Sequence, residues 1–278
     1  MEQLTFPFAE NKKRTVVVVL SGGQDSTTCL FWALDNGWNV HAVTFDYHQR
    51  HRREIDSAKR VRDIANQVYG LGAVETHEII ELGPILKGRS PLISDGLLEQ
   101  YKDHASLPGG LEKTFVPMRN QLFLTVAANR AAVLGATALV TGVCEEDYGG
   151  YPDCRRGFID ALEEACNRGT FTGEEGAPAP LTIYTPLMRL TKAQTVELAL
   201  TYPGCYRALS YTHTAYDGQF PPTGHDHATL LRAKGFEEAG IPDPLILRAA
   251  IQMKAMELPK TDNYSQALVD RYLELMEA

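Results

Sequence analysis

The segment SGGQDSTT (21–28) combines two glycines, several hydroxyls and one carboxylate, which is the composition of a phosphate-binding loop. It follows the apolar run VVVVL and precedes a helical pattern, so it joins a predicted buried strand to a helix N-terminus. Free backbone N–H groups and the helix dipole favour an anion at such a junction. Neither G-x-x-x-x-G-K-[ST] nor G-x-G-x-x-G is present. The sequence therefore predicts a phosphate loop that carries no lysine of its own.

Polar side chains also follow other predicted strands. FDYHQRH (45–51) and TGVCEEDYGGYPDCR (141–155) each come after an apolar strand pattern, and Lys192 opens a helix just after LTIYTPL. Ligands of open parallel sheets bind at the carboxyl ends of the strands, so these groups are expected to meet at one edge. Any one of them could be merely a solvated loop. All of them together favour a site for a nucleotide and a second substrate.

Strands and helices alternate along the chain, which predicts a doubly wound parallel α/β sheet. Strands are predicted at 14–20, 38–47, 74–80, 136–143 and 181–187, and helices at 25–36, 52–69, 119–134, 155–167 and 191–200, the last capped by Thr191. Residues 81–113 read as a surface excursion. Beyond residue 204 we expect helices near 228–238, 244–256 and 264–276. We therefore assign 1–204 to the α/β domain and 205–278 to a small helical extension, not an independent domain.

Bulk composition bounds the class of protein. The chain has 278 residues, 44% hydrophobic and 22% charged, which is ordinary for a soluble globular enzyme. Its net charge of −8 argues against a nucleic-acid partner. Five cysteines without a C-x-x-C pair, no signal peptide and no apolar run of spanning length predict a cytoplasmic protein with reduced thiols and no membrane partner.

SGGQDS resembles the SGGxDS pyrophosphate loop of the N-type ATP pyrophosphatases. That loop alone is shared by several families of enzymes, and other segments in combination indicate one of them. These segments are FDYHQRH, TFVPMRN (114–120), TGVCEEDYGGYPDCR, TPLMRLTKAQT (185–195) and LLRAKGFEEAGIPDP (230–244). From about residue 15 to residue 244 the chain is similar to the 7-cyano-7-deazaguanine synthase family of 7-deazaguanine (queuosine and archaeosine) biosynthesis. The resemblance implies a Rossmann-like fold of the adenine nucleotide alpha hydrolase type and a homodimer.

The resemblance also implies a reaction. A carboxylate of 7-carboxy-7-deazaguanine attacks the α-phosphorus of ATP, pyrophosphate leaves, and ammonia converts the adenylate to an amide. A second adenylation and loss of AMP give the nitrile. Charge on the departing pyrophosphate must be stabilised. Asp25 and Lys192 are the expected catalytic residues, with Lys192 supplying from another element the cation that the loop lacks.

The remaining site residues follow from the same resemblance. Nucleotide contacts are expected from Leu20, Ser21, Gly22, Gly23, Gln24, Asp25, Ser26, Thr27, Thr28, Arg119 and Gly142, and substrate contacts from Asp147, Tyr151, Asp153 and Arg155. Asp25 is a candidate Mg²⁺ ligand or, equally, a helix cap. Arg119 could instead be an ordinary surface arginine. The loop 141–155, which contains the four expected substrate residues, could instead be stabilised by ion pairs of its own.

The family usually carries four zinc cysteines, and this chain lacks them. Ala215, Thr223, Asp226 and Thr229 stand at the matching positions within residues 213–232. Alanine and threonine are not competent zinc ligands, so zinc is not expected. The alternative is a site rebuilt from His213, His225 and His227 with Asp226.

Three functions stay open at this point. The first is an active synthase that needs ATP and Mg²⁺ but not zinc. The second is a relative that stops at the amide or transfers the activated deazaguanine to another acceptor. The third is a non-catalytic nucleotide-binding protein, which the joint presence of Asp25, Lys192 and Arg119 disfavours.

Overall fold

The computed structural model describes residues 14–49, 53–88, 90–93, 112–145, 151–170, 175–215, 218–224 and 226–277. Its centre is a parallel sheet of five strands in the order β3-β2-β1-β4-β5. The strands are β1 (Thr15–Val19), β2 (Asn39–Asp46), β3 (Val74–Glu81), β4 (Ala138–Val140) and β5 (Thr182–Tyr184). Because the order reverses direction at β1, the carboxyl ends of β1 and β4 flank the switch point at which such sheets bind ligands.

Helices cover both faces of the sheet. In chain order they are α1 (Gln24–Asp35), α2 (Arg53–Tyr69), α3 (Arg119–Val133), α4 (Arg156–Thr170), α5 (Lys192–Leu200), α6 (Cys205–Leu209), α7 (His227–Glu238), α8 (Pro244–Leu247) and α9 (Gln266–Glu277). Val16 and Val18 of β1 join one hydrophobic cluster, and Val17 joins another on the opposite face. This alternation follows from the two-residue period of a strand. The predicted doubly wound α/β fold is confirmed.

The first cluster connects the sheet to the C-terminal helices. It contains Val16 of β1 and also Phe236 of α7, Leu247 of α8 and Tyr272 of α9. Residues on both sides of position 204 therefore share one hydrophobic core. The division of the chain at that position stays a prediction.

Two features of the C-terminal region differ from the expectation. The short helix α6 was not predicted, because five residues are too few to show helical periodicity. The helix predicted over 244–256 is wrong in its second half. A π-helical turn at Arg248–Gln252 follows α8, the Met253 N–H donates to the Arg248 carbonyl at 3.0 Å, and Lys254 takes a left-handed φ of +53°. That backbone conformation ends the helix.

The structure also bears on the expected reduced thiols and on the expected absence of a membrane partner. All five cysteines are free thiols. Among the described residues, no helix combines the length and apolarity that crossing a bilayer requires.

Candidate active site

The loop between β1 and α1 is tightly packed. Gly22 has a φ of +86°, and a Cβ atom there would lie 2.2 Å from the Glu54 carbonyl oxygen of α2. The Ser21 and Ser26 hydroxyls lie 3.0 Å apart, and the Ser26 hydroxyl also donates to the Gly23 carbonyl at 3.2 Å. Only glycine satisfies both the backbone angle and the space at position 22. The loop is thus held in a fixed shape at the N-terminus of α1.

A second glycine brings the end of β4 against the same helix. A Cβ atom on Gly142 would lie 2.9 Å from the Asp25 carbonyl carbon and 3.0 Å from the Ser26 nitrogen. Both contacts are with backbone atoms, which cannot move aside cheaply. The close approach therefore fixes the first turn of α1 against the switch point of the sheet.

Asp25 and Lys192 meet across this loop. Lys192 Nζ lies 2.8 Å from Asp25 Oδ2, and the two side chains are 13% and 25% exposed, respectively. A capping box of Thr191 and Gln194 starts α5 at Lys192 and fixes its direction. The other carboxylate oxygen, Asp25 Oδ1, is buried and has no hydrogen-bond partner among the described residues. The pair therefore presents one uncommitted acceptor beside one cation.

Most of the predicted site residues line a single cavity of about 350 Å³. They are Leu20, Ser21, Gly23, Gln24, Asp25, Ser26, Arg119, Gly142, Tyr151 and Lys192. The amide nitrogen of Gln24 is buried here without a hydrogen-bond partner among the described residues. Free donors next to a fixed loop and a lysine suit an anionic ligand with several oxygens.

Other predicted residues lie away from the cavity lining. Gly22 belongs to the phosphate loop but does not line the cavity, and its carbonyl accepts from the His213 N–H at 3.0 Å. Thr27 and Thr28 are fully buried in α1, where the Thr28 hydroxyl donates to the Gln24 carbonyl at 3.1 Å. The first turn of α1 thus buries both side chains, and the expected nucleotide contacts of these two threonines stay a prediction.

The predicted substrate set is also divided. Tyr151 lines the cavity, Asp153 is buried outside its lining, and Arg155 is exposed. Burial raises the pKa of Asp153, against the opposing effect of the Arg119 guanidinium. Asp147 lies outside the described residues. A direct contact with a ligand in this cavity is thus supported for Tyr151 and not for Arg155.

The cavity has an aromatic wall that the sequence analysis missed. Phe45 and Phe123 stack with ring centroids 4.5 Å apart and planes at 15°, and Tyr47 packs 5.1 Å from Phe123. Phe45 and Tyr47 follow the alternation of β2, and Phe123 lies one turn into α3. Flat rings at the edge of a cavity suit a planar heteroaromatic ligand.

The cavity lining also includes a polar network. The Tyr151 hydroxyl donates to Glu112 Oε2 at 3.0 Å and lies 2.6 Å from the Thr114 hydroxyl. Glu112 is 3% exposed and Ser90 is 4% exposed. The prediction of a surface excursion over 81–113 is therefore wrong at both of these described positions. The mixture of glycine, proline and serine in this segment gave no sign that Ser90 and Glu112 are buried.

Glu54 is the second carboxylate that the sequence analysis missed. It lies in the first turn of α2 and lines the cavity. Its carboxylate makes no hydrogen bond or ion pair with any described side chain. Burial raises the pKa of Glu54 to about 7, although the Arg119 guanidinium acts in the opposite direction. Burial also raises the pKa of Tyr47, against the effect of the same arginine. The sequence analysis places this residue in the helix predicted at 52–69 and assigns it no role.

Three of the positions that match the family's zinc cysteines make other contacts. Asp226 instead caps α7, because its carboxylate accepts from the Thr229 N–H at 3.0 Å, and the Thr229 hydroxyl donates to the Asp226 carbonyl at 2.9 Å. Ala215 supplies only a carbonyl, which lies 2.9 Å from His213 Nε2. In the described part of the chain, no group of three or more histidine, cysteine or acidic residues could hold a metal ion. His225 lies outside the described residues.

Buried Arg232 cross-links this region. Its guanidinium makes a bidentate ion pair with Asp243 at 2.6 and 2.8 Å, and both side chains are 4% exposed. It also donates to the Thr212 hydroxyl, the Thr214 hydroxyl and the Leu209 carbonyl at 2.7, 3.1 and 3.1 Å. The segment after α6, helix α7 and the start of α8 therefore meet at one side chain.

Stacked arginines add a second cross-link. The guanidinium groups of Arg60 and Arg248 lie 4.8 and 4.5 Å from the centroid of the Tyr211 ring, and that of Arg248 also lies 4.6 Å from the Phe220 ring centroid. Cation–π contacts of this kind favour the observed packing. Tyr211 and Phe220 thus help to hold the C-terminal region in place.

Comparisons with known proteins agree on one family. The family model described as queuosine biosynthesis protein QueC matches residues 15–240. The 7-cyano-7-deazaguanine synthase of Gloeobacter violaceus is 50% identical over 234 residues, which cover 84% of this chain and 95% of the relative. The enzyme of the same name from Chromobacterium violaceum is 45% identical over 242 residues, covering 86% of this chain and 96% of the relative.

Similarity to solved structures is more distant. A 4-thiouridine synthetase bound to RNA and ATP is 18% identical with a TM-score of 0.45, covering 84% of this chain and 52% of the other. The NMN synthetase of Francisella tularensis is 14% identical with a TM-score of 0.43, covering 95% of this chain and 84% of the other. We draw no conclusion about activity from either.

Proposed function

The chain belongs to the QueC family of queuosine biosynthesis proteins, and we propose on this basis that it is an ATP-dependent 7-cyano-7-deazaguanine synthase. Its substrates are 7-carboxy-7-deazaguanine, ATP and ammonia. The observation that carries the proposal is the Lys192–Asp25 pair at 2.8 Å, beside the glycine loop and within the cavity that has the aromatic wall. One cavity thus offers a phosphate-binding end and an end suited to a planar base.

The loop and Lys192 serve the adenylation step. The substrate carboxylate attacks the α-phosphorus of ATP, and negative charge then builds on the departing pyrophosphate. Backbone N–H groups at the start of α1, the Ser21 hydroxyl and the Lys192 ammonium are fixed around one end of the cavity. Such preorganised donors stabilise the developing charge without reorganising during the reaction. Arg119 lines the same cavity and can balance charge at the α-phosphate.

Asp25 is the residue that would hold Mg²⁺. The free, buried oxygen Oδ1 is a hard donor, and a magnesium ion in such sites takes one or two carboxylates together with substrate phosphates. When bound, the ion neutralises phosphate charge. Lys192 orients the carboxylate through the other oxygen, Oδ2.

We place the deazaguanine ring against the aromatic wall of the cavity. Phe45, Phe123 and Tyr47 offer ring faces for stacking, and Glu112 can accept hydrogen bonds from a guanine-like N–H edge. Tyr151 donates to Glu112 and so keeps one of its oxygens oriented. We assign base recognition to Glu112 and Tyr151 in place of Arg155.

The same groups serve the second half of the reaction. Ammonia displaces AMP from the acyl adenylate and gives the amide. The amide oxygen then attacks a second ATP, and loss of AMP leaves the nitrile. Both adenylations expel pyrophosphate, so one fixed loop with one lysine suffices for both.

Several further proposals rest on the family resemblance and on charge. They are a homodimer, a cytoplasmic location, no direct nucleic-acid partner, and ammonia supplied in free form or by a separate protein. The net charge of −8 supports the proposal that there is no direct nucleic-acid partner. Sedimentation of the purified protein tests the first.

The experiment that tests the function is a single incubation. The protein is mixed with 7-carboxy-7-deazaguanine, ATP, Mg²⁺ and ammonium, and the products are identified by mass spectrometry. Nitrile together with AMP is expected. Accumulated amide, or a conjugate with another acceptor, would support a relative with a different end product. Absence of ATP turnover would support a nucleotide-binding protein without catalysis.

A further inference from the structure

We propose that Glu54 is a catalytic residue that binds ammonium in the cavity and accepts the proton whose removal makes the nitrogen nucleophilic. The inference rests on the proposed function, because it concerns the amidation step of that reaction. It assigns to one carboxylate a task that neither the phosphate loop nor Lys192 performs.

The position of Glu54 carries the inference. Its side chain lines the cavity that contains the Asp25–Lys192 pair, and its backbone carbonyl packs against Gly22 of the phosphate loop. The carboxylate accepts no hydrogen bond from any described side chain. An acceptor with free lone pairs, facing the cavity in which the adenylate forms, is a suitable partner for a small cation with four N–H donors.

The groups that face Glu54 leave it as the candidate base. Arg119 is the cation that acts on it, from the start of α3, and it favours the charged carboxylate. Asp25 contacts Lys192 through Oδ2 and is assigned to Mg²⁺ through Oδ1, and Glu112 accepts from Tyr151. The other titratable or cationic groups among the described residues that line the cavity are Tyr47, Cys154, Lys192, His213, His227 and Arg232.

The protonation behaviour of Glu54 fits this task. Burial raises its pKa to about 7, which brings the carboxyl closer to the acidity of ammonium than an exposed glutamate would be. A general base is most effective when its pKa lies near the working pH. At neutral pH a substantial fraction of Glu54 is ionised and can still accept a proton from ammonium.

The chemical step balances as follows. Ammonium gives one proton to the Glu54 carboxylate and becomes ammonia. The nitrogen lone pair forms a bond to the acyl carbon, the bond from that carbon to the AMP oxygen breaks, and AMP leaves with the electron pair. A second proton leaves the nitrogen to water as AMP departs. One ammonium and one acyl adenylate thus give one amide, one AMP and two protons.

The test compares two nucleophiles and two variants. Glu54→Gln keeps the size of the side chain but cannot accept the proton, and Asp56→Asn makes the same change on an exposed position of the same helix. Each protein is assayed with ammonium and with hydroxylamine, which is already neutral at pH 7 and is trapped as the hydroxamate. Exchange of labelled pyrophosphate into ATP, in the presence of the acid, reports adenylation separately.

We expect Glu54→Gln to lower kcat/KM for ammonium by about 100-fold or more, while hydroxamate formation changes by less than about threefold. Asp56→Asn should match the wild type with both nucleophiles. The wild-type rate with ammonium should level off above a pH of about 7, whereas the Glu54→Gln rate should continue to rise with the concentration of free ammonia.

Two results would overturn the inference. The first is an unchanged rate with ammonium in Glu54→Gln. The second is an equal loss with both nucleophiles, since that would place Glu54 in adenylation or in folding. Wild-type protein without pyrophosphate exchange would instead contradict the proposed function, so the two failures are distinguishable.

Discussion

Lys192 Nζ and Asp25 Oδ2 lie 2.8 Å apart, although the two residues are 167 positions apart in the sequence. The contact joins the first residue of α5 to the first turn of α1, at the edge of the sheet where the phosphate loop opens. A surface ion pair contributes little to stability, and this pair is only partly buried. Its place in the cavity points to a role in the reaction.

Removing either partner should therefore affect turnover more than stability. We expect Lys192→Ala and Asp25→Asn each to lower kcat by about 100-fold to 1,000-fold, because each removes stabilisation of charge on the leaving pyrophosphate. The thermal midpoint should change little. Lys59→Ala, which breaks an exposed pair with Asp56 at 3.8 Å, is the matched control and should leave both quantities unchanged. Near-normal rates in both cavity variants would exclude the pair from the site.

The close approach of Gly142 to α1 gives a second prediction. In Gly142→Ala, the added methyl group would meet backbone atoms at 2.9 and 3.0 Å, so the first turn of α1 must shift. We expect a loss of about 1–3 kcal/mol in the free energy of unfolding, together with weaker ATP binding. Gly157→Ala on α4, where an added Cβ atom would meet no described atom within 4 Å outside its chain neighbours and its own helix backbone, should be neutral or stabilising. Equal effects of the two variants, measured by urea unfolding and nucleotide titration, would contradict the packing described.

Arg232 should be the main cross-link of the C-terminal region. Arg232→Met leaves Asp243 buried without its partner, and we expect a loss of about 3–5 kcal/mol in the free energy of unfolding. Adding Asp243→Leu should recover part of that loss, because no buried charge is then left unpaired. Urea titration of the two variants measures both effects.

Treatment with a metal chelator is the complementary control. A structural zinc contributes folding free energy, so its removal would lower the thermal midpoint. We expect the midpoint of the wild type to be unaffected and no zinc to be found by metal analysis. About one zinc per chain, or a clear fall of the midpoint, would show that the C-terminal region depends on a metal after all.

His77 should make stability depend on pH. Burial, aided by the nearby charges of Arg62 and Lys59, lowers the pKa of His77 to about 4. In the unfolded chain the pKa is about 6.5, so the unfolded state binds more protons between these values, and stability falls as pH falls through that window. At pH 5 the cost relative to pH 7 is about 2 kcal/mol.

A variant is needed to isolate that effect. The raised pKa of Glu54 acts in the opposite direction, because protonation in the folded state adds stability as pH falls below about 7. The difference in the free energy of unfolding between wild type and His77→Gln separates the effect of His77 from that of Glu54. We expect the wild type to lose stability relative to His77→Gln between pH 7 and pH 5, measured by urea unfolding. If the difference in the free energy of unfolding between the two proteins were the same at pH 7 and at pH 5, His77 would be easily protonated in the folded state.

Much of the fold could be predicted because its signals are local. The valine run of β1 has no polar face, so it predicts a strand buried on both sides, and Thr191 with Gln194 marks the start of α5. The C-terminal region was harder. The π-helical turn at Arg248–Gln252 depends on backbone geometry that no hydrophobic pattern records.

The site was predicted in part because the phosphate-loop motif is also a local signal in the sequence. A loop motif gives the residue types, and Asp25 and Lys192 indeed meet. The motif does not say which side chains turn inward, and the helical rotation of α1 directs Thr27 and Thr28 into the core. Glu54 and Glu112 are single acidic residues in polar stretches. Only tertiary packing places them at the cavity.

The most direct test of the proposed reaction follows the oxygen atoms of the substrate. The acid is labelled with ¹⁸O at both carboxylate oxygens and incubated with ATP, Mg²⁺ and ammonium. If each oxygen in turn attacks an α-phosphorus at this site, every AMP formed carries one ¹⁸O, the pyrophosphate carries none, and the nitrile retains no label. Unlabelled AMP, or label in pyrophosphate or orthophosphate, would contradict adenylation of the deazaguanine acid by this protein.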